Sequence, residues 1–342
     1  MTLRPLPGAV AAQRTIAVVG DLWTLRILRT VFRGRRRHGD FVAELGISRA
    51  VLSDRLARLV TQGVLVREAA EGRHPEYRLT ERGLDLWSLF LAMWQWESDW
   101  GSAHDPDSWA TDRPRAQVMH ADCGRAMRPQ LRCAACAGPV LPFDTQALRR
   151  EPASAEHAGE AASEGGERPE ADGSPGGAWA TAAIDPTSEA DADAPERASP
   201  SAFRRGRGAR RGQGSGLARV VGDRWSAAVV AAAFRGARQF AQFRQQLGIG
   251  PAQLSERLAE LQALGLVRAR PYAGSRQAYH LTRAGIALFP MTLELLRWGN
   301  RWLAGPGEDY PVLHRPCGHA LHARWHSDQC GGVLQRESVR FG

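Results

Sequence analysis

The stretch AELGISRAVLSDRLARLVTQG occupies residues 43–63, and QQLGIGPAQLSERLAELQALG occupies residues 245–265. In the first, Ser48 carries a side-chain oxygen suited to cap a helix, Leu52, Leu56 and Leu59 recur on one face, and Gly63 closes the segment. Just upstream, Asp40 can cap a short helix that runs through Leu45 and ends at Gly46. Two helices joined by a tight turn are therefore expected. Behind them VLVREAAEGRHPEYRLT, residues 64–80, reads as a β-hairpin with Gly72 and Pro75 in its turn. Apolar residues from Ile16 to Phe32 recur at helical spacing until Gly34, predicting one amphipathic helix in front of the pair. Another, from Leu84 to Trp100, follows the hairpin and is too apolar to stand alone in water.

This order of elements is that of a winged helix-turn-helix. A slim helix enters the major groove, the preceding helix braces it, and the hairpin reaches the neighbouring backbone. The leucines are core. The opposite face of the second helix offers Ser48, Arg49, Ser53, Asp54 and Arg58 to base edges, while Arg35, Arg36 and Arg37 before the brace helix and Arg73 and Arg78 in the wing suit phosphates.

The pattern occurs twice at one shift of 202 positions. GDLW at 20–23 returns as GDRW at 222–225, FRG at 32–34 as FRG at 234–236, YRLT at 77–80 as YHLT at 279–282, and Trp96 and Trp100 as Trp298 and Trp302. Arg238, Gln253, Ser255, Arg257 and Arg276 are the second copy's candidates for DNA contact. The reading helices differ, because Gly250, Pro251, Glu256 and Glu260 stand where the first copy has Ser48, Arg49, Asp54 and Arg58. Carboxylates facing a phosphate-lined groove oppose binding, so the first copy is expected to dominate base recognition.

The 342 residues carry a net charge of +9, and every basic residue is arginine. The balance is +5 over residues 1–140, −9 over 141–200 and +13 over 201–342. Two basic blocks around an acidic strip suit a polyanionic partner. The strip lies in a segment rich in Ala, Gly, Pro, Ser and Glu, whose composition cannot offset the entropy of ordering. The expected fold is mainly α with small β-hairpin wings. It comprises a winged helix-turn-helix at 10–104, a Cys/His segment at 114–143, a disordered linker at 145–216, a second winged helix-turn-helix at 217–305 and a degenerate Cys/His segment at 310–342. Without an apolar run long enough to span a bilayer or a leader-like start, the chain is expected to be cytoplasmic and free of membranes.

His120, Cys123, Cys133 and Cys136 follow the spacing H-x2-C-x9-C-x2-C, which fits structural zinc, with free thiols or a redox pair as the alternatives. The matching stretch keeps His314, Cys317 and Cys330 but has Ser327 at the fourth position. An even weaker metal site, with His322 or His326 as substitutes, is the expectation there.

The stretches GDLWTLRIL, FRGRRRHGDF, LGISRAVLSDRLARLVTQGVLVRE and YRLTERG resemble the HxlR family of bacterial transcriptional regulators, and GDRWSAAVV, LGIGPAQLSERLAELQALGLVRAR and YHLTRAG resemble it again. The resemblance covers about 90 residues in each copy and implies a winged-helix repressor or activator. Such regulators usually pair as homodimers on inverted half-sites of double-stranded DNA through their first and last helices. Members commonly carry a cysteine about ten residues before the Gly-Asp-x-Trp stretch; here Val10 and Gly212 stand there, so thiol sensing is not carried over. The duplication suggests a pseudo-dimer within one chain, with residues 84–100 against 288–302 as its seam, or else a homodimer of such chains. No P-loop, G-x-S-x-G or dinucleotide fingerprint points to an enzyme. The alternatives are a sensor whose tryptophans 87, 94, 96 and 100 line a pocket for a small-molecule effector, although a helix seam is the favoured role for these side chains, and a protein-binding scaffold.

Overall fold

The computed structural model describes residues 7–70, 73–101, 118–147, 216–274, 276–305 and 311–341. The first copy runs α1 (Pro7–Val19), α2 (Leu22–Phe32), α3 (His38–Leu45), α4 (Arg49–Thr61), β1 (Leu65–Ala70), β2 (Arg73–Leu79), α5 (Glu81–Leu84) and α6 (Trp87–Trp100). A ribbon of β3 (Val118–His120), β4 (Arg125–Met127), β5 (Pro129–Cys133) and β6 (Thr145–Ala147) follows. The second copy repeats the series as α7 (Gly216–Val221), α8 (Arg224–Phe234), α9 (Phe240–Leu247), α10 (Pro251–Ala263), β7 (Val267–Ala273), β8 (Arg276–Leu281), α11 (Arg283–Ile286) and α12 (Phe289–Trp302). Its ribbon is β9 (Val312–His314), β10 (His319–Ala320), β11 (Ala323–Ser327) and β12 (Val339–Phe341). The stretch expected as a linker falls almost entirely outside the described residues.

Three sequence expectations need correction. The helix foreseen from Ile16 to Phe32 is divided between α1 and α2, because Asp21 turns its carboxylate onto the N–H groups of Trp23 and Thr24 and starts a new helix. The helix foreseen from Leu84 is likewise broken. Thr80 caps the single turn α5, and α6 begins only at Trp87. An added Cβ on Gly83 would lie 2.2 Å from the Val64 carbonyl, so glycine lets α5 press on the strand start; Gly285 does the same beside Leu266 at 2.1 Å. Pro75 sits within β2 rather than in the turn, close to a register shift between Glu68 and Ala70.

Elsewhere the local signals act as expected. Ser48 caps α4, Gly46 ends α3 at φ 60°, and Gly63 follows α4 at φ 67°. Asp40 differs in detail: it lies at the third position of α3 and accepts from the N–H of Arg37. Leu25, Leu28, Phe41, Leu52, Leu56 and Leu59 close the first core, and Phe243, Leu254, Leu258 and Leu261 the second. Each such side chain contributes roughly 1.5–3 kcal/mol by leaving water.

The copies join along α1, α6 and α12, with α1 lying against α12. Thr15 Oγ1 donates to the Leu295 carbonyl at 2.8 Å, and a Cβ on Gly299 would meet the Ala11 carbonyl at 2.3 Å. Trp96 Nε1 donates to the Ala284 carbonyl at 2.8 Å, and Trp298 Nε1 donates to the Arg82 carbonyl at 3.0 Å. These two bonds connect equivalent residues in opposite directions, as a local two-fold requires.

The ribbons interlock. β12 of the second copy adds to β3 and β4 of the first, β6 of the first adds to β9 and β10 of the second, and β5 pairs antiparallel with β11. The Cys/His stretches repeat at a shift of 194. Leu131 and Trp325, equivalent at that shift, face each other in the β5–β11 register and so lie on the two-fold. Neither ribbon completes its sheets alone.

Candidate nucleic-acid interface

Helix α4 is fixed to the body by Leu52, Leu56 and Leu59, all buried, which leaves Ser48, Arg49, Ala50, Ser53, Asp54 and Arg58 exposed on the far side. Arg58 stands 3.7 Å from Asp54, and Ser53 Oγ lies 3.3 Å from His38 Nε2. A residue the sequence reading passed over completes the bracing. Arg55 Nε reaches the Asp21 carboxylate at 3.1 Å, tying α4 to the cap of α2. Its counterpart Arg257 does the same to Asp223 at 2.9 Å and also meets Glu260 at 3.2 Å. Arg257, singled out for DNA contact, is thereby turned toward the protein. The signal for this role was in the repeat, since Asp21 with Arg55 and Asp223 with Arg257 recur at one shift.

The flanking arginines divide similarly. Arg36 is exposed at the mouth of the helix pair. Arg35 lies 3.6 Å from Glu44, Arg37 3.5 Å from Glu76, and Arg78 2.6 Å from Glu68 and 3.2 Å from Glu76. Arg73 begins β2 opposite Ala70. Arg78 in the first wing and Arg37 beside it thus share their charge with neighbouring carboxylates, while Arg67 of β1 is exposed.

In the second copy α10 exposes Pro251, Ser255 and Glu256, with Gln253 half-buried beside them. Gly250 holds the cap position without a side chain to accept the free N–H groups. Arg238 donates to the carbonyls of Ala233 at 2.6 Å and Ala237 at 3.0 Å, and burial lowers its pKa; its guanidinium closes the end of α8 instead of reaching outward. The wing is different in kind. Arg270 and Arg276 are exposed, Arg268 is half-buried, and residues 267–281 contain no acidic side chain. Burial first, then Arg238, Arg270 and Arg268, push the pKa of His280 below its usual value.

Of the four tryptophans weighed as a pocket lining or a helix seam, Trp96 bonds across the seam to Ala284. Trp94 and Trp96 are buried, Trp87 is half-buried and Trp100 is exposed. An apolar cavity of about 30 Å³ does lie between the copies, but its walls are Ala12, Ile16, Val221, Ala228, Met291, Leu295 and their neighbours. That volume is close to one water molecule's share of the liquid, about 30 Å³, too small for an effector. Among the described residues no helix is long and apolar enough to cross a membrane.

The Cys/His residues are regrouped. His120, Cys123, Cys133 and Cys136, read from the sequence as one site, do not meet; Cys133 and Cys136 converge with His314 and Cys317, while His120 and Cys123 converge with Cys330. Within each group the sulfur and nitrogen atoms all lie within 4.8 Å of one another. Strand exchange is the physical reason, because each knuckle is carried on β5 or β11 to the His-x-x-Cys turn of the other copy. His322 makes a backbone bond to Ala134, and His326 Nδ1 lies 2.9 Å from the Gly331 carbonyl, so neither joins a group.

Comparison with known proteins agrees with this architecture. An HTH-type transcriptional regulator of Mycobacterium tuberculosis, itself uncharacterised, is 38% identical over 125 residues, covering 36% of this chain and 75% of the relative. A Synechocystis HTH-type regulator is 34% identical over 91 residues, covering 26% and 67%, and a Bacillus subtilis one, YvaP, is 32% identical over 87 residues, covering 25% and 81%. The HxlR-like helix-turn-helix family matches at residues 18–105 and again at 220–306, one match on each winged unit. Together these stretches span about half of the sequence, and the chain belongs to the HxlR-like helix-turn-helix family, whose domain it carries twice.

Proposed function

We propose that the chain is a transcriptional regulator that binds double-stranded DNA and acts as its own dimer, laying α4 and α10 on the two half-sites of an inverted operator and repressing by occupying it. The reciprocal bonds of Trp96 and Trp298 carry this reading, because a two-fold relation between reading helices is what a palindromic site demands.

The seam also favours pairing within one chain over pairing of like copies. Asp85 of the first copy accepts from Arg297 at 3.0 Å and from Trp302 Nε1 at 2.7 Å, and Ser88 donates to Glu294 at 2.6 Å. The positions equivalent to Asp85, Arg297, Ser88 and Glu294 are Ala287, Gln95, Pro290 and Ala92, and only Trp302 keeps its counterpart, Trp100, so a first-with-first or second-with-second pair loses these matches. Arg297 would then keep Glu294, 2.7 Å away on its own helix, but lose the Asp85 carboxylate.

Footprinting on the DNA beside the protein's own gene, with the mass of the complex in solution, tests the reading. The expected result is two protected half-sites about 34–36 Å apart bound by one chain, with affinity falling steeply as salt rises. Salt-insensitive binding, or no preference for any genomic fragment, removes it.

A further inference from the structure

We propose that the chain holds one zinc ion tightly in a closed site that neither copy can build alone, made of Cys133 and Cys136 from the first copy and His314 and Cys317 from the second. Tetrahedral zinc, with bonds near 2.3 Å to sulfur and 2.0–2.1 Å to nitrogen, places its ligand atoms roughly 3.4–3.8 Å apart. Here Cys136 Sγ lies 3.4 Å from His314 Nδ1, His314 Nδ1 lies 3.4 Å from Cys317 Sγ, and Cys133 Sγ lies 3.9 Å from Cys317 Sγ. A disulfide needs sulfurs about 2.05 Å apart, and all five cysteines are free.

The surroundings are those of a metal knuckle. His314 is fully buried, and its other nitrogen, Nε2, lies 3.3 Å from the Pro139 carbonyl, which fixes the ring with Nδ1 turned to the sulfurs. Backbone N–H groups of Ala135 and Cys136 point at Cys133, and that of Gly138 at Cys136, as thiolates require. A Cβ on Gly138 would lie 3.7 Å from the His314 ring and 3.3 Å from Cys136 Sγ, so glycine gives the ring from the other copy room to approach. Three thiolates and one imidazole leave no open position, which makes the ion a staple rather than a reaction centre. It joins segments 184 positions apart on either side of the acidic stretch.

The second group is the same site with one ligand lost. Ser327 N–H donates to the Gly332 carbonyl at 2.9 Å and Gly331 N–H to the Ser327 carbonyl at 2.9 Å, repeating the turn in which Cys133 pairs with Gly138 and Ala137. His120 Nδ1 lies 3.2 Å from Cys330 Sγ, and Gly332 repeats the clearance of Gly138. A neutral hydroxyl stands where the fourth thiolate belongs. Three ligands bind zinc weakly, and the ion there exchanges.

The test uses the full chain, purified under reducing conditions without added zinc, dialysed against a mild chelator and analysed for metal. One retained zinc per chain is expected. Cys317→Ser and His314→Ala should lose it, whereas Cys123→Ser should keep it. If each copy instead closed its own site, the outcome reverses: Cys123→Ser loses the zinc and His314→Ala keeps it, which overturns the proposal. Wild-type protein without zinc overturns it as well. Ser327→Cys restores the missing ligand without removing any, so it guards against a misfolded variant; a rise to two tight zinc ions supports the second group as a zinc site one ligand short, an unchanged content counts against it, and the choice between cross-copy and own-copy sites is read from His314→Ala and Cys123→Ser.

Discussion

The two winged units share a backbone plan and divide its charge in opposite ways. The first copy exposes Arg49 and Arg58 on its reading helix and pairs Arg37 and Arg78 of the wing side with Glu68 and Glu76. The second places Pro251 and Glu256 on the reading helix and keeps Arg270 and Arg276 exposed on a wing without acids. A duplicated domain need not satisfy the whole binding task in each half. One helix can specialise in base edges, where a bidentate arginine discriminates, while the other unit contributes attraction to the backbone.

The sharpest way to break this division is to remove the helix contacts of each copy in turn. Arg49→Ala with Arg58→Ala is expected to cost about 2–4 kcal/mol of operator binding and to relax sequence preference. Gln253→Ala with Ser255→Ala should cost under about 1 kcal/mol, since neither is charged. Arg257 is unsuitable for this comparison because its ion pair with Asp223 holds α10 in place. Titration of labelled operator DNA measures both, and a larger loss from the second pair reverses the assignment.

The seam offers the next effect in size. Asp85 accepts from Arg297 and Trp302 across the copies, so Asp85→Ala takes one of two carboxylates from a half-buried guanidinium and leaves an indole N–H without its acceptor. About 2 kcal/mol of stability should be lost. Gln95→Ala, at the position equivalent to Arg297, should change stability by less than about 0.5 kcal/mol. Thermal unfolding of the two variants compares them, and equal losses would show that the seam is symmetric in energy as well as in shape.

How much of this was readable in advance follows from the range of the interactions. Caps, leucine stripes and glycine stops act within one turn, so Ser48, Leu52, Leu56, Leu59 and Gly63 announced α4 directly. The break at Gly20–Asp21 was missed because the apolar period continues through it, although Asp21 is itself a capping residue. Arg257 and Arg238 hold partners within the chain that spacing does not announce, because spacing gives the face of a residue but not whether a carboxylate or a helix end lies within reach of a long side chain. The Cys/His grouping was the least legible. H-x2-C-x9-C-x2-C is satisfied equally well within one copy or between two, and the strand pairing between copies, β5 with β11, β6 with β9 and β12 with β3, decides.

The wings predict a smaller effect. Each phosphate contact contributes roughly 0.9 to the slope of log affinity against log salt. Arg270→Ala with Arg276→Ala should therefore flatten the slope by about 1.8, with little change in sequence preference. Arg78→Ala should flatten it by less than one contact, because Glu68 and Glu76 already hold that guanidinium. A larger change from Arg78 would mean that DNA separates those pairs and that the first wing is not neutralised in the complex.

The smallest effect is one of sign. His280 stands where the first copy has Arg78, and burial, then Arg238, Arg270 and Arg268, hold its pKa below the usual 6.5. Above pH 6.5 it is neutral both folded and unfolded, so it contributes no pH dependence. As pH falls through 6.5 the unfolded chain takes up a proton that the folded wing resists, and stability declines until the lowered folded pKa is passed. A DNA phosphate set against Arg270 opposes that repulsion and raises the His280 pKa, so binding should take up a proton and strengthen as the solution is acidified toward about pH 6. His280→Asn should remove this trend from the affinity profile, while Arg78→Asn should leave it in place because an arginine does not titrate there. An imidazole resonance of His280 that titrates at or above 6.5 in the free chain would mean that the second wing lacks the positive potential assigned to it, and the contrast between the two wings would then fail at its source.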